Sequence, residues 1–136
     1  MSFMKLEVLL FISISIIFLL FFGCLSKSEL SIVDVVIVDC KVYHHKKPFT
    51  GLVNHHLKHD QIKILSVSNG IIKRELNYKN STLFSERIFS KCETGQEKVY
   101  YENGNIFQSG YILNGVRSGK WTIYSRDGEK LNTIYY

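Results

Sequence analysis

Gln61-Ile-Lys-Ile-Leu-Ser-Val-Ser-Asn-Gly-Ile-Ile-Lys-Arg-Glu-Leu-Asn-Tyr78 decides how the chain folds. Two runs rich in apolar residues, Gln61 to Ser68 and Ile71 to Tyr78, flank Asn69-Gly70. Asn-Gly between such runs is a strong hairpin signal, because a tight two-residue turn needs φ > 0 at both positions. The device recurs downstream. Asn103-Gly104 separates Val99-Tyr-Tyr101 from Ile106 to Ile112, and Asp127-Gly128 separates Trp121 to Tyr124 from Leu131 to Tyr136. Asn114-Gly115 and Gly119 bound a further turn. Upstream, Ser31-Ile-Val-Asp-Val-Val-Ile-Val-Asp39 is rich in β-branched residues and reads as one partly buried strand. The expected fold is all-β: an antiparallel hairpin meander over residues 31–136.

The second half repeats. At an offset of 24, Gly95 meets Gly119, Tyr100 meets Tyr124, Gly104 meets Gly128, Phe107 meets Leu131, and Tyr111 meets Tyr135. Residues 95–136 therefore hold the clearest units. A weaker copy lies at an offset of 34, where Asn69-Gly70 meets Asn103-Gly104 and Asn80 meets Asn114. That reading places ten extra residues around Ser81 to Cys92, as a longer hairpin or bulged strand. Units this short cannot bury an apolar face alone and must stack on their neighbours. Cross-strand aromatic contacts are expected, and Tyr100, Tyr101, Phe107, Tyr111, Trp121 and Tyr124 make up a candidate aromatic binding face. The glycines serve turns, and none opens a helix as a phosphate loop would.

Tyr101-Glu-Asn-Gly104, Tyr111-Ile-Leu-Asn-Gly115, Gly119-Lys-Trp121 and Tyr124 together resemble bacterial MORN-like variant repeats. Lys47-Pro-Phe-Thr-Gly51 resembles an opening seen in the same proteins, although Ser81 follows Asn80 where that pattern has Gly. The resemblance implies a single-layer β meander that acts as a scaffold without catalytic residues. Some members carry the label of antitoxin components of toxin–antitoxin systems.

The chain has 136 residues, of which 46% are hydrophobic, with a formal net charge of +5. Part of that apolarity is concentrated in Val8 to Phe22, where only Ser13 and Ser15 are polar. This run falls short of the roughly 20 residues that span a bilayer and fits the apolar region of a signal peptide. Phe21-Phe22-Gly23-Cys24 resembles a bacterial lipoprotein signal, which implies cleavage before Cys24 and lipid on its sulfur. The alternative is a retained anchor helix. Either reading puts the module outside the cytoplasm, in the cell envelope and tied to the membrane. Residues 1–23 are then signal or anchor, 24–30 a tether, and 31–136 the β module. The cations are spread from Lys27 to Lys130, unlike a nucleic-acid footprint, so no nucleic-acid partner is expected.

Cys40 and Cys92 are disulfide candidates in an exported chain, with two unpaired thiols as the alternative. All five histidines lie between His44 and His59, but adjacent strand residues point to opposite faces, and no metal site is expected. No cofactor is expected. No nucleophile elbow, zinc-protease motif or phosphate loop occurs. A His55, Asp60 and Ser66 triad can be drawn, but the spacing does not demand it. The leading expectation is a non-enzymatic, membrane-anchored lipoprotein that binds a protein or envelope component. An antitoxin-like or immunity protein that binds a toxin is the alternative, and an envelope hydrolase the second.

Overall fold

Hairpin after hairpin builds one sheet in a computed structural model that describes residues 28–136. The signal or anchor segment, Cys24 and most of the tether lie outside the described residues. The strands are β1 (Glu29–Ser31), β2 (Val36–Val38), β3 (Lys41–His44), β4 (Lys47–Pro48), β5 (Gly51–His56) and β6 (Gln61–Ser68), followed by β7 (Ile71–Lys79), β8 (Thr82–Lys91), β9 (Thr94–Tyr100), β10 (Ile106–Leu113), β11 (Val116–Tyr124) and β12 (Lys130–Tyr135). From β5 to β12 each strand pairs antiparallel with the next, so the meander expected from the Asn-Gly turns is present. Among the described residues, no helix is long and apolar enough to cross a membrane.

The turns set the register. Asn69 and Gly70 take φ of 49° and 75°, and Asn114 and Gly115 take 51° and 79°. These are the left-handed pairs that a two-residue hairpin requires. The turns at 101–105 and 125–129 are wider. There only Gly104 and Gly128 are left-handed, at 85° and 90°. Asn103 serves a different purpose from Asn69: its Nδ2 donates to the Arg126 carbonyl at 3.0 Å, and Asn105 Nδ2 donates to the same oxygen at 2.6 Å. The two wide turns are thus tied to each other along the sheet edge. At the opposite end, Gly115 N donates to the Glu93 carbonyl at 2.7 Å, and Asn114 N donates to Thr94 Oγ1 at 3.1 Å.

Strand order overturns the 34-residue offset. Successive turns of a meander alternate between the two ends of the sheet. Asn69-Gly70, Cys92-Glu93 and Asn114-Gly115 lie at one end, while Asn80-Ser81, Asn103-Gly104 and Asp127-Gly128 lie at the other. The offset of 34 therefore overlays turns from opposite ends. The segment Ser81 to Cys92 holds a bulged strand, as one of the two expectations had it, with Phe84 and Ser90 as the extra residues of β8, while the spacing of about two dozen residues runs through the whole meander. It was masked because Cys92-Glu93 lacks the Asn-Gly signature, with Glu93 taking φ of 49° in place of Asn or Gly.

The N-terminal part departs further from expectation. Ser31 to Asp39 is not one strand but the end of β1, a 3-10 turn over Ile32–Asp34, and β2. Ile32 and Val35 turn inward against the core, while Val33 and Val36 to Val38 are left exposed. β1 joins the sheet in parallel beside β5, so Glu29 and Leu30, assigned to the tether, belong to the module. Leu30 packs on the core, which is the physical reason.

β2, β3 and β4 form a small antiparallel flap off the main path, joined to β7 at Lys41 and Ile71. Val42 and Phe49 pack with Val53, Leu65 and Val67 as the main buried apolar cluster. Val42 N donates to the Gly70 carbonyl at 2.8 Å, which anchors the flap to the β6–β7 turn. A disulfide joins Cys40 to Cys92 with Cα atoms 5.6 Å apart, the bridged form of the two alternatives that the sequence leaves open. Closing its 52-residue separation stabilises by about 4 kcal/mol in the chain-entropy account.

Ser81 occupies a left-handed turn position at φ of 62° that favours glycine. Replacing Ser81→Gly removes the Cβ penalty and should stabilise the fold by about 0.5–1 kcal/mol, net of glycine's entropy. Chemical denaturation of the two proteins measures this, and a lower midpoint for the variant would contradict the strain at Ser81.

Candidate functional site

Two faces of a single sheet carry alternate residues of every strand. On one face the register sets Leu65 beside Glu75, Glu75 beside Arg87, Arg87 beside Glu97, Glu97 beside Gly110, and Gly110 beside Trp121. Near the N-terminal end this face is the apolar core. Beyond Leu65 it becomes a ladder of charges.

Lys63 Nζ lies 3.4 Å from Glu75 Oε2, and Arg87 Nη1 lies 3.8 Å from Glu75 Oε1. Arg87 Nε donates to Glu97 Oε1 at 2.6 Å, and Arg117 Nε lies 3.8 Å from Glu97 Oε2. Asn77 Nδ2 bonds both Glu75 Oε1 at 3.0 Å and Ser85 Oγ at 3.1 Å. Positive and negative groups thus alternate across five strands. Ser85 and Glu97 are buried, while the lysine and arginine heads are about one-third exposed.

Gly110 lets the row cross β10. A Cβ at Gly110 would collide with the Trp121 ring, which lies flat over this position. Trp121 is 1% exposed, and its Nε1 donates to the Tyr111 carbonyl at 3.0 Å. The Arg117 guanidinium stacks 4.3 Å above the indole and donates to Gln108 Oε1 at 3.3 Å and to the Tyr136 hydroxyl at 3.2 Å. The two bulge residues Gly119 and Lys120 bring Arg117 and Trp121 to neighbouring positions on one face, opposite Ile112 and Gly110. The result is an open groove of about 760 Å³ along the ladder, with Phe84, Val116 and Tyr136 among its lining.

The opposite face holds a second, smaller network. Arg74 Nε donates to Glu86 Oε1 at 2.7 Å, and the Tyr100 hydroxyl donates to Glu86 Oε2 at 2.8 Å. Burial pushes the Glu86 carboxyl up, but the Tyr100 hydroxyl and the Arg74 and Lys98 charges outweigh it, so it titrates below its ordinary value. Burial, the hydrogen bond to Glu86 and the Glu86 charge push the Tyr100 hydroxyl up to about 12.

The six aromatics singled out in the sequence do not share one face. Trp121 is buried in the ladder groove, whereas the register puts Tyr100 and Tyr111 on the other side of the sheet. Tyr101 and Phe107 pack ring on ring at 5.1 Å beside the 101–105 turn, and the Tyr101 hydroxyl donates to the Tyr124 carbonyl at 2.9 Å. Bulges in β10, β11 and β12 break the simple alternation that a single aromatic stripe requires. Sequence reading missed the ladder. Its signal is a charge of alternating sign every 10 to 12 residues, at Lys63, Glu75, Arg87 and Glu97.

The drawn triad does not assemble. His55 pairs with Lys63 on the ladder side, while Ser66 lies on the other side, opposite Leu52 and Arg74. His44 and His45 pack with their rings tilted at 48° and 4.0 Å apart, beside Phe49. Among the described residues, no group of three or more His, Cys, Asp or Glu is placed to hold a metal ion. No protein-family model, curated protein or solved structure matches the chain.

What this arrangement can do chemically is recognition. Its carboxylates are already paired to cations, so they offer a partner a patterned surface of donors and acceptors flanked by apolar edges.

Gly110→Ala should push the indole off its seat, cost about 1–3 kcal/mol, and shift the single tryptophan's emission to the red. An unchanged emission maximum and denaturation midpoint would contradict that packing. For Tyr100, the folded state holds a proton that the unfolded chain releases near 10.0, so stability falls as pH rises from there through about 12. Tyr100→Phe should flatten this alkaline loss and remove the latest-titrating phenol from the ultraviolet absorbance titration.

Proposed function

We propose that this chain is a non-enzymatic, exported lipoprotein, anchored to the membrane through Cys24, whose single-layer sheet is a scaffold that binds a protein or envelope component. The observation that carries the binding half is the groove on the ladder face. It is open and long, its charges alternate in sign, and exposed Phe84 and Val116 border it. Groups that already neutralise one another across strands are poorly suited to acid–base chemistry, which needs a free group with a matched pKa. They suit a partner that presents complementary charges and covers the apolar border. The anchoring half rests on the apolar run ending in Gly23-Cys24 and on a module that starts within a few residues of it.

The same reading takes the repeating hairpins as MORN-like variant units. The turn-to-turn bonds from Asn103 and Asn105 to Arg126 support this, because they give the Tyr-Glu-Asn-Gly motif a role in stacking one unit on the next.

Two arms test the proposal. Cells fed labelled palmitate should label the wild-type chain and not Cys24→Ala, and equal labelling would remove the lipid anchor. Crosslinking in intact envelopes should join wild type to a discrete partner, with at least a fivefold loss in Phe84→Ser/Val116→Ser at unchanged circular dichroism. Equal crosslinking by the variant would take the partner off the groove.

A further inference from the structure

β2 leaves an unusual surface. Val33, Val36 and Val38 are 83%, 62% and 52% exposed, and Ile37 is also exposed. The register explains which side is which. Ile37 pairs with Val42, whose side chain is fully buried in the core, so that side of the flap faces the sheet. Val36 pairs with Tyr43 and Val38 with Lys41, so these four residues form the side that faces away. Lys46 follows at the β3–β4 turn, at the edge of this face, whereas Lys47 opposite His44 lies on the sheet side. Aliphatic residues, a tyrosine and Lys41 on one small face, with Lys46 at its edge, are the composition of a membrane–water interface, where rings sit at headgroup level and lysines reach outward.

Chain length places this face near the anchor. The proposed lipid anchor is Cys24, and β1 is docked on β5 from Glu29 onward. Five residue steps reach at most about 18 Å fully extended. A chain held to the bilayer at Cys24 therefore keeps β1, and the flap that follows it, close to the lipid headgroups. The disulfide from Cys40 to Cys92 and the packing of Val42 and Phe49 hold the flap to the sheet, so its outer face is presented as a fixed surface.

We propose that the outer face of the flap (Val36, Val38, Lys41 and Tyr43) seats in the interface of an anionic phospholipid bilayer. This rests on the membrane-anchored reading above. It fixes the orientation of the module: the N-terminal flap lies on the lipid while the sheet and its charge ladder extend away from it.

The full chain, reconstituted into vesicles of phosphatidylcholine and phosphatidylglycerol, provides the test. A probe tryptophan is added by Val36→Trp in one protein and by Leu131→Trp, on exposed β12, in another. Trp121, common to both, sets the background. Replacing the lipid with acyl-brominated phosphatidylcholine and phosphatidylglycerol should quench the added emission of Val36→Trp at least twofold and leave that of Leu131→Trp unchanged. Lys41→Gln/Lys46→Gln in the Val36→Trp background should reduce the quenching, as should vesicles of phosphatidylcholine alone. A chain that sediments with vesicles but shows unquenched Val36→Trp emission overturns the seated flap and leaves the anchor standing. Blue-shifted emission without quenching means that protein, such as a second copy, covers the patch, and also overturns it. A chain that fails to sediment with vesicles overturns the anchor and this inference together.

Discussion

Register is the constraint on which everything else here depends. A side chain on a sheet changes face when its strand slips by one residue. In this chain the tight turns at Asn69-Gly70, Asn80-Ser81 and Cys92-Glu93 remove that freedom from β6 to β9. Once they are closed, Lys63, Glu75, Arg87 and Glu97 must fall in a row, and Val53, Leu65 and Val67 must fall on the same side to meet Val42 and Phe49. The turn-to-turn bonds at both ends of the sheet pass the same register from one hairpin to the next.

The charge ladder is a consequence of that register more than its cause. Partly exposed ion pairs contribute about 0–1 kcal/mol each, less than the burial of a single large core side chain. Two features raise its standing. Glu97 is buried, so removing Arg87 would leave a carboxylate poorly compensated. Arg117 is held at once by Glu97, Gln108, Tyr136 and the Trp121 ring, which makes the C-terminal end of the groove the most constrained part of that face.

Stability is divided unevenly along the sheet. The apolar cluster lies under the flap at the N-terminal end, and the Cys40–Cys92 bond ties that end to the β8–β9 turn. Farther along, among the described residues, the buried apolar side chains are Ile112 and Trp121. A single layer has two faces and no second sheet to cover them, so its middle and far strands rely on paired polar groups and backbone ladders. The same arrangement leaves long surfaces open to partners, which is why the proposed role is one of binding.

The sequence by itself determined that the module is all-β and that its strands succeed one another as hairpins. Those are local properties: Asn-Gly adopts left-handed turns at little cost, and alternating apolar residues favour strands wherever they lie. It also named Cys40 and Cys92 as candidates without choosing between bridge and free thiols, because 52 residues of chain say nothing about a Cα separation of 5.6 Å. Only the tertiary structure decided the true period, because Cys92-Glu93 makes its turn without the expected residues. It alone also split Ser31 to Asp39, drew Glu29 and Leu30 into the sheet, dispersed the six aromatics and assembled the ladder. The physical reason is common to all of these. Which side chains share a face depends on pairings between distant residues and on bulges that reset alternation, and neither is encoded in any short stretch of chain.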